Sequence, residues 1–195
     1  MTKELVFHAD WFSKHIPEWE KYLFHLKGEP NIKGLEIGCW EGQSTCWLLQ
    51  NIFTDSSSRV VVIDPFLGNP ENRVEGYEKE VPQIFESNIE KLGATGRVSL
   101  FRMKSKDGLR HMHLHDDSLN FAYVDGSHVT THVLMDLVLL WPLLKRGGIL
   151  IIDDYPYGDP FMDAVPGIAV DAFQNIFRKE IIELHRGWQM IWRKS

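Results

Sequence analysis

Residues 34–42 read GLEIGCWEG. An apolar pair, Leu35 and Ile37, runs into two glycines four apart, Gly38 and Gly42, and a carboxylate, Glu36, sits between the apolar residues. A glycine turn directly after a strand lets backbone approach a ligand closely. GQSTCWLLQNIF (42–53) follows with small polar residues at its start and reads as the helix that such a turn opens. The stretch is therefore the first strand–turn–helix of a nucleotide-binding α/β unit. It is not the G-x-G-x-x-G of a dinucleotide site. The third glycine is absent, Trp40 is bulky, and Glu36 and Glu41 put negative charge where a pyrophosphate would lie.

Outward from this unit, strands and helices alternate. RVVVID (59–64) is a continuous β-branched run and predicts a buried strand. RVSLFRM (97–103), SLNFAYVD (118–125) and ILIIDD (149–154) predict three more. Helices are predicted over 80–93, closed by Gly93, over KDGLRHMHL (106–114), and over 131–144, stopped by Lys145, Arg146 and the Gly147-Gly148 pair. A further helix covers 168–179, and IIELHRGWQMIWRK (181–194) folds back on itself around Arg186-Gly187. Upstream, DWFSKHIPEWEKYLFHL (10–26) has Trp11, Ile16, Trp19, Leu23 and Leu26 at helical spacing and predicts a leading helix. Two stretches, 65–79 and 155–167, are long loops. The pattern implies a Rossmann-like doubly wound sheet, mostly parallel, with an antiparallel C-terminal edge strand.

The 195 residues favour one domain, and 44% hydrophobic with 25% charged is ordinary for a globular chain. A net charge of -6 without a basic block argues against nucleic acid as a partner. The start MTKELVFHADWF lacks the basic n-region and apolar run of a signal peptide, and no stretch approaches a membrane span. A cytoplasmic protein is expected. Cys39 and Cys46 are expected to be reduced, inert thiols. The alternating His111, His113 and His115 read as a solvated helix end rather than a metal site. Trp40, Trp47, Trp141, Trp188 and Trp192 read as core or ligand-flanking packing. The aromatic leading helix has two candidate partners, its own domain and a second copy of the chain, so a homodimer is an open expectation.

In an open parallel sheet the ligand lies beyond the carboxyl ends of the strands. Those ends carry Glu36 and Gly38, then Asp64, then Lys104 and Ser105, then Asp125, then Asp153 and Asp154. Any one acid there could be a cap or a turn former. Five converging on one edge call for cations or hydroxyl donors to answer them. Asp64 ends its strand at the offset where a carboxylate accepts both hydroxyls of a ribose. With no room for a phosphate, a ribose ligand that carries positive charge fits, and S-adenosylmethionine (SAM) has a sulfonium and an ammonium. Asp125, Asp153 and Asp154 make a hard, all-oxygen site that suits Mg²⁺ better than zinc. His128, three residues after Asp125, is in position to take a proton from a metal-bound hydroxyl. Two other readings stand beside this one: an NAD-type oxidoreductase on a Rossmann sheet, and a non-catalytic SAM-binding module.

These residues together resemble a class I SAM-dependent methyltransferase. LEIGCWEGQST is similar to the glycine-rich first motif and VVVIDPF to the ribose-binding second motif. FAYVDGSHVTTHVLMDLVLLWPLLKRGGILIIDDY resembles the metal-dependent small-molecule O-methyltransferases: the macrolide-sugar, aminocoumarin-sugar and cephamycin-pathway types and, more distantly, catechol O-methyltransferase. The likeness covers roughly residues 32–193. It implies residues 31–195 as the SAM-binding domain and 1–30 as an N-terminal helical extension. It implies that Glu36, Gly38, Gly42 and Ser44 line the methionine part of the cofactor, with Trp40 flanking it. Asp64 would hold the ribose, and Lys104 and Ser105 would meet the adenine edge. Asp125, Asp153 and Asp154 match the divalent-metal ligands, with Asp125 also at the reacting centre, and His128 matches the general base. The implied reaction is methylation of a hydroxyl on a small polyhydroxylated molecule, a sugar or natural-product intermediate. The family often has an aromatic two residues after the histidine, where this chain has Thr130. Phe66, Trp11, Tyr155 and Tyr157 are candidates for the acceptor's walls.

Overall fold

The computed structural model describes residues 4–68, 80–112, 115–159, 161 and 163–195. Among them, seven strands form one sheet in the order β3-β2-β1-β4-β5-β7-β6. These are β1 (Lys33–Ile37), β2 (Arg59–Ile63), β3 (Val98–Phe101), β4 (Leu119–Val124), β5 (Leu144–Ile152), β6 (Ile181–Arg186) and β7 (Met190–Lys194). The first five run parallel, and β7 pairs antiparallel with both β5 and β6. The antiparallel pair thus closes one edge of the sheet, with β6 outermost. Strand order reverses between β1 and β4, which places the ligand crevice beyond Ile37 and Val124.

Helices cover both faces, which is why β1, β2 and β4 are apolar almost throughout. On one face lie α1 (Ile16–Leu23), α2 (Gln43–Asn51) and α3 (Val81–Lys91), around a core that includes Trp19, Leu48, Phe85, Phe53 and Phe121. On the other lie α4 (Ser105–His111), α5 (Thr130–Leu140) and α6 (Pro166–Ile176), around Leu109, Leu137, Phe173 and Trp192. Successive β1 residues point to opposite faces, so Leu35 and Ile37 enter the second core while Glu36 points under α2.

Most predicted boundaries shift by a few residues, as α4 does in ending at His111 rather than 114, and three shifts have a clear physical reason. The leading helix is shorter than 10–26: α1 is flanked by 3-10 turns at Ser13–His15 and Phe24–Leu26. The Gly147-Gly148 pair does not end a helix. Helix α5 stops at Leu140, and β5 already begins at Leu144. The pairing jumps from Leu119↔Leu144 to Phe121↔Ile149, so the glycines form a bulge inside the strand, Gly147 having φ +79°. Helix α6 starts at Pro166 rather than 168, because proline's fixed φ suits the first turn. Most of the loop predicted over 65–79, and His113 of the histidine run, lie outside the described residues.

Candidate active site

The crevice at the switch in strand order holds a cavity of about 580 Å³. Its floor is the glycine turn. Gly38 has φ +83°, and a Cβ there would lie 2.0 Å from the Asp125 carbonyl oxygen, so only glycine lets β1 end against β4. Gly42, also at φ +83°, turns the chain into α2 with Phe85 packed against it, and is not on the cavity wall. Trp40, Ser44, Asp64, Lys104 and Ser105 line the cavity.

Asp64 shapes the turn. Its Oδ2 accepts from the backbone N–H of Cys39 at 2.8 Å and of Trp40 at 3.0 Å, and its Oδ1 accepts from Phe66 N–H at 2.7 Å. Both lone pairs of Oδ2 are thus used, and Oδ1 keeps one free to accept from the cavity. Glu36 is fully buried and does not reach the wall. Its oxygens take the hydroxyls of Ser44 and Thr45 in the first turn of α2, where the helix dipole favours an anion. Burial nevertheless pushes its carboxyl up to about 7 against those two donors. Glu36 acts on the cavity through Ser44. Cys39 and Cys46 are free and buried, and burial holds both thiols far above their ordinary range.

At the far end of the cavity three side chains converge. A ligand atom from each of Asp125, His128 and Asp154 lies within 4.8 Å of the others. His128 Nε2 is 2.8 Å from Asp154 Oδ2, and its ring lies 4.7 Å from that of Tyr157. Burial would raise the Asp154 carboxyl, but the bonds from His128 and Trp188 and the charges of His128 and Lys14 outweigh it and hold it low. Asp125 goes the other way. Burial, then the charges of Asp153 and Asp154, push it well above the carboxylate range. Asp153 stands apart from the other two. Its Oδ2 lies 2.5 Å from the Tyr123 hydroxyl and accepts from Gln189 Nε2 at 2.8 Å, and its Oδ1 accepts from Asp154 N–H at 2.8 Å. The Tyr123 hydroxyl also lies 2.9 Å from Asp125 Oδ2. Of the three predicted metal ligands, then, two face His128 and the third is held back by Tyr123 and Gln189.

Around the site, Trp188 reads in the sequence as core or ligand-flanking packing and Trp11 as an acceptor wall, while Phe7, His8, Phe12 and His15 carry no functional signal there. Trp188, at the tip of the β6–β7 hairpin, donates its indole N–H to Asp154 Oδ1 at 3.0 Å. His15 is buried with Nε2 4.0 Å from Asp153 Oδ1, and burial lowers its pKa. Residues before α1 lie over the cavity: Phe7, Ala9, Trp11 and Phe12 line it. His8 binds Glu41 through its backbone N–H and Nδ1, both at 2.7 Å. Of the expected acceptor walls, Trp11 and Tyr157 line the cavity. Phe66 is buried against Phe85, and the Tyr155 hydroxyl meets Asp171 and Arg186 away from it.

The Methyltransferase domain family matches residues 35–155, from the strand before the glycine turn to the residue after the paired acids. The chain belongs to that methyltransferase family. The methyltransferase uses SAM, and its sheet is that of the class I fold. It is similar to the O-methyltransferase NovP, at 22% identity and a TM-score of 0.65 over 93% of this chain and 78% of that one. It is similar to MycE of the mycinamycin biosynthetic pathway, solved with Mg, S-adenosylhomocysteine and mycinamycin VI. There the identity is 15% and the TM-score 0.63, over 96% of this methyltransferase and 50% of MycE. An rRNA methylase from Streptococcus thermophilus aligns at 12% identity and a TM-score of 0.62, over 95% and 99% of the two chains. Likeness at these identities establishes the fold. No curated protein sequence matches the methyltransferase. Among its described residues, no helix is long and apolar enough to cross a membrane.

Proposed function

We propose that the chain is an O-methyltransferase that moves the methyl group of SAM to a hydroxyl of a small polyhydroxylated molecule, a sugar or natural-product intermediate, with the help of a hard divalent cation such as Mg²⁺. The observation that carries this reading is the convergence of His128, Asp125 and Asp154 at the end of the cavity whose floor is the glycine turn and Asp64. The donor set fits such a cation. Two half-buried carboxylates and an imidazole meet with Asp153 behind them, and burial and the charges of Asp153 and Asp154 push the Asp125 carboxyl well above its ordinary range. When bound, the cation lowers the pKa of an acceptor hydroxyl. Asp125 and Asp154 are the residues that would hold it, with Asp153 steadied by Tyr123 and Gln189 behind them.

The chain's own residues then have distinct tasks. Gly38 and Trp40 flank the methionine part of SAM, Ser44 is oriented by Glu36, and Asp64 offers the free lone pair of Oδ1 to the ribose. Lys104 and Ser105 flank the adenine end. His128, fixed by Asp154, takes the proton from the acceptor hydroxyl. The oxygen so exposed attacks the methyl carbon, the bond from carbon to sulfur breaks, and the electron pair stays on sulfur as S-adenosylhomocysteine leaves. The rate gain comes chiefly from holding oxygen, carbon and sulfur in line. The net charge of -6 favours a small acceptor over RNA. The family assignment displaces the oxidoreductase reading.

The test is methyl transfer from labelled SAM to a panel of sugars and phenols, with Mg²⁺ or with EDTA. Activity is expected only with the metal. His128→Ala should lower kcat by about 10²–10⁴ while S-adenosylhomocysteine still binds. Full activity in EDTA would remove the cation from the proposal, and a silent panel would remove the acceptor class.

A further inference from the structure

Beyond the acid cluster, the cavity opens between Trp11, Tyr157, Trp188 and Lys14. Both tryptophans are unusually open for their size, at 51% and 46% exposure. Trp188 is not loosely placed. Its N–H is held by Asp154, and its carbonyl accepts from Tyr155 N–H at 3.0 Å, so the ring is fixed in orientation beside the reacting end of the cavity. Lys14 Nζ lies over that ring, 4.8 Å from its centroid. Among the described residues Lys14 forms no ion pair and no hydrogen bond, although Asp154 is near enough to feel its charge. The other two lysines on the cavity wall, Lys104 and Lys106, sit at the cofactor end by α4.

We infer that Trp188 and Lys14 form an acceptor subsite: the indole face carries the acceptor's ring, and the Lys14 ammonium binds an anionic group on that ring. The inference rests on the O-methyltransferase reading and names the class of acceptor, a hydroxylated ring bearing a carboxylate or similar anion. The physical case is short. A ring whose hydroxyl reaches His128 and Asp154 comes within reach of Trp188, whose indole N–H is bonded to Asp154 and which lines the same cavity. Aromatic rings and the C–H faces of sugars both pack on an exposed indole. A substituent one ring-width from the reacting hydroxyl then meets Lys14. A cation with no carboxylate of its own, beside three acids, is also what lets an anionic acceptor approach this end of the cavity.

The experiment uses the full chain saturated with S-adenosylhomocysteine and Mg²⁺, and measures binding of matched probes by calorimetry. One pair is 3,4-dihydroxybenzoate and 4-methylcatechol, the other glucuronate and glucose. The anionic member of at least one pair should bind about tenfold more tightly. Lys14→Ala should bring that ratio close to one by weakening the anion alone, Lys14→Arg should keep it, and Trp188→Ala should weaken both members. The responding pair tells an aromatic from a sugar acceptor. Equal binding within both pairs, no binding of any probe, or a preference that survives Lys14→Ala would overturn the inference. Equal losses for both members in Lys14→Ala would also overturn it, since Lys14 would then only offset the acids. Binding of S-adenosylhomocysteine, titrated in the same samples, separates the two claims. If the cofactor product binds and the anion preference is absent, only the subsite falls; if it does not bind, the methyltransferase reading falls with it.

Discussion

Asp136 shows how one residue can set a pH dependence. It sits in α5, almost fully buried, and its Oδ1 has no hydrogen-bond partner among the described residues. Burial pushes its carboxyl up to about 6, against a hydrogen bond from Ser105. The folded chain therefore holds this proton more tightly than the unfolded chain does. No penalty exists below the unfolded value of 3.8; the penalty grows as pH rises toward about 6 and is constant above it. Its size is at most about 3 kcal/mol. Asp136→Asn should thus gain stability relative to wild type between pH 4 and pH 7, by up to that amount, in urea denaturation at the two pH values. A gap that does not change with pH would mean the carboxylate is answered in the fold. None of this was legible in MDL at 135–137, because an acid in an apolar helix reads equally well as an exposed position. The acids at strand ends were legible, since each follows an apolar run directly. Which of Asp153 and Asp154 faces His128 was not, because that depends on Tyr123 arriving from β4 and Gln189 from the β6–β7 turn.

At the scale of elements, the segment before α1 is held across the glycine turn by one buried side chain. Asn88, in α3, accepts from Val6 N–H at 2.9 Å and donates to Val6 O at 2.8 Å and Glu41 O at 3.1 Å. It replaces a strand partner for that stretch and ties it to the same loop that His8 grips through Glu41. Replacing it removes two part-buried hydrogen bonds to Val6 and a buried one to Glu41, each worth about 0.5–1.5 kcal/mol. Asn88→Ala should lower stability by about 2 kcal/mol and speed hydrogen exchange at Val6 and His8 before any other part of the sheet is affected. Uniform exchange throughout the chain would instead show that the segment and the sheet open together. Alternation of strands and helices was readable because each period is local. The β5 bulge was not. Two glycines after a helix read as its stop, and only the pairing with β4 shows them inside a strand.

For the whole molecule, the question is whether the first thirty residues are an appendage. Trp19 has no exposed surface and packs edge-on against Tyr123 with ring centroids 4.8 Å apart, in the middle of the sheet. Its indole N–H donates to Gln189 Oε1 at 2.8 Å, and Gln189 in turn holds Asp153. The leading helix thus fills the first core and orders the acid cluster through a single buried chain of hydrogen bonds. The sequence showed an amphipathic helix there, but not where its apolar face goes, since that face could equally have served a second copy. Trp19→Ala should cost about 3–5 kcal/mol, the amount for removing a large buried aromatic. Trp19→Phe keeps most of the volume and removes the N–H, so it separates the two roles: stability should fall less, while the Mg²⁺ binding proposed above should weaken because Gln189 no longer holds Asp153 in place. Calorimetric metal titration of the two variants decides the matter. If Trp19→Phe binds Mg²⁺ as wild type does, the helix contributes core alone, and the order of the acids comes entirely from the sheet.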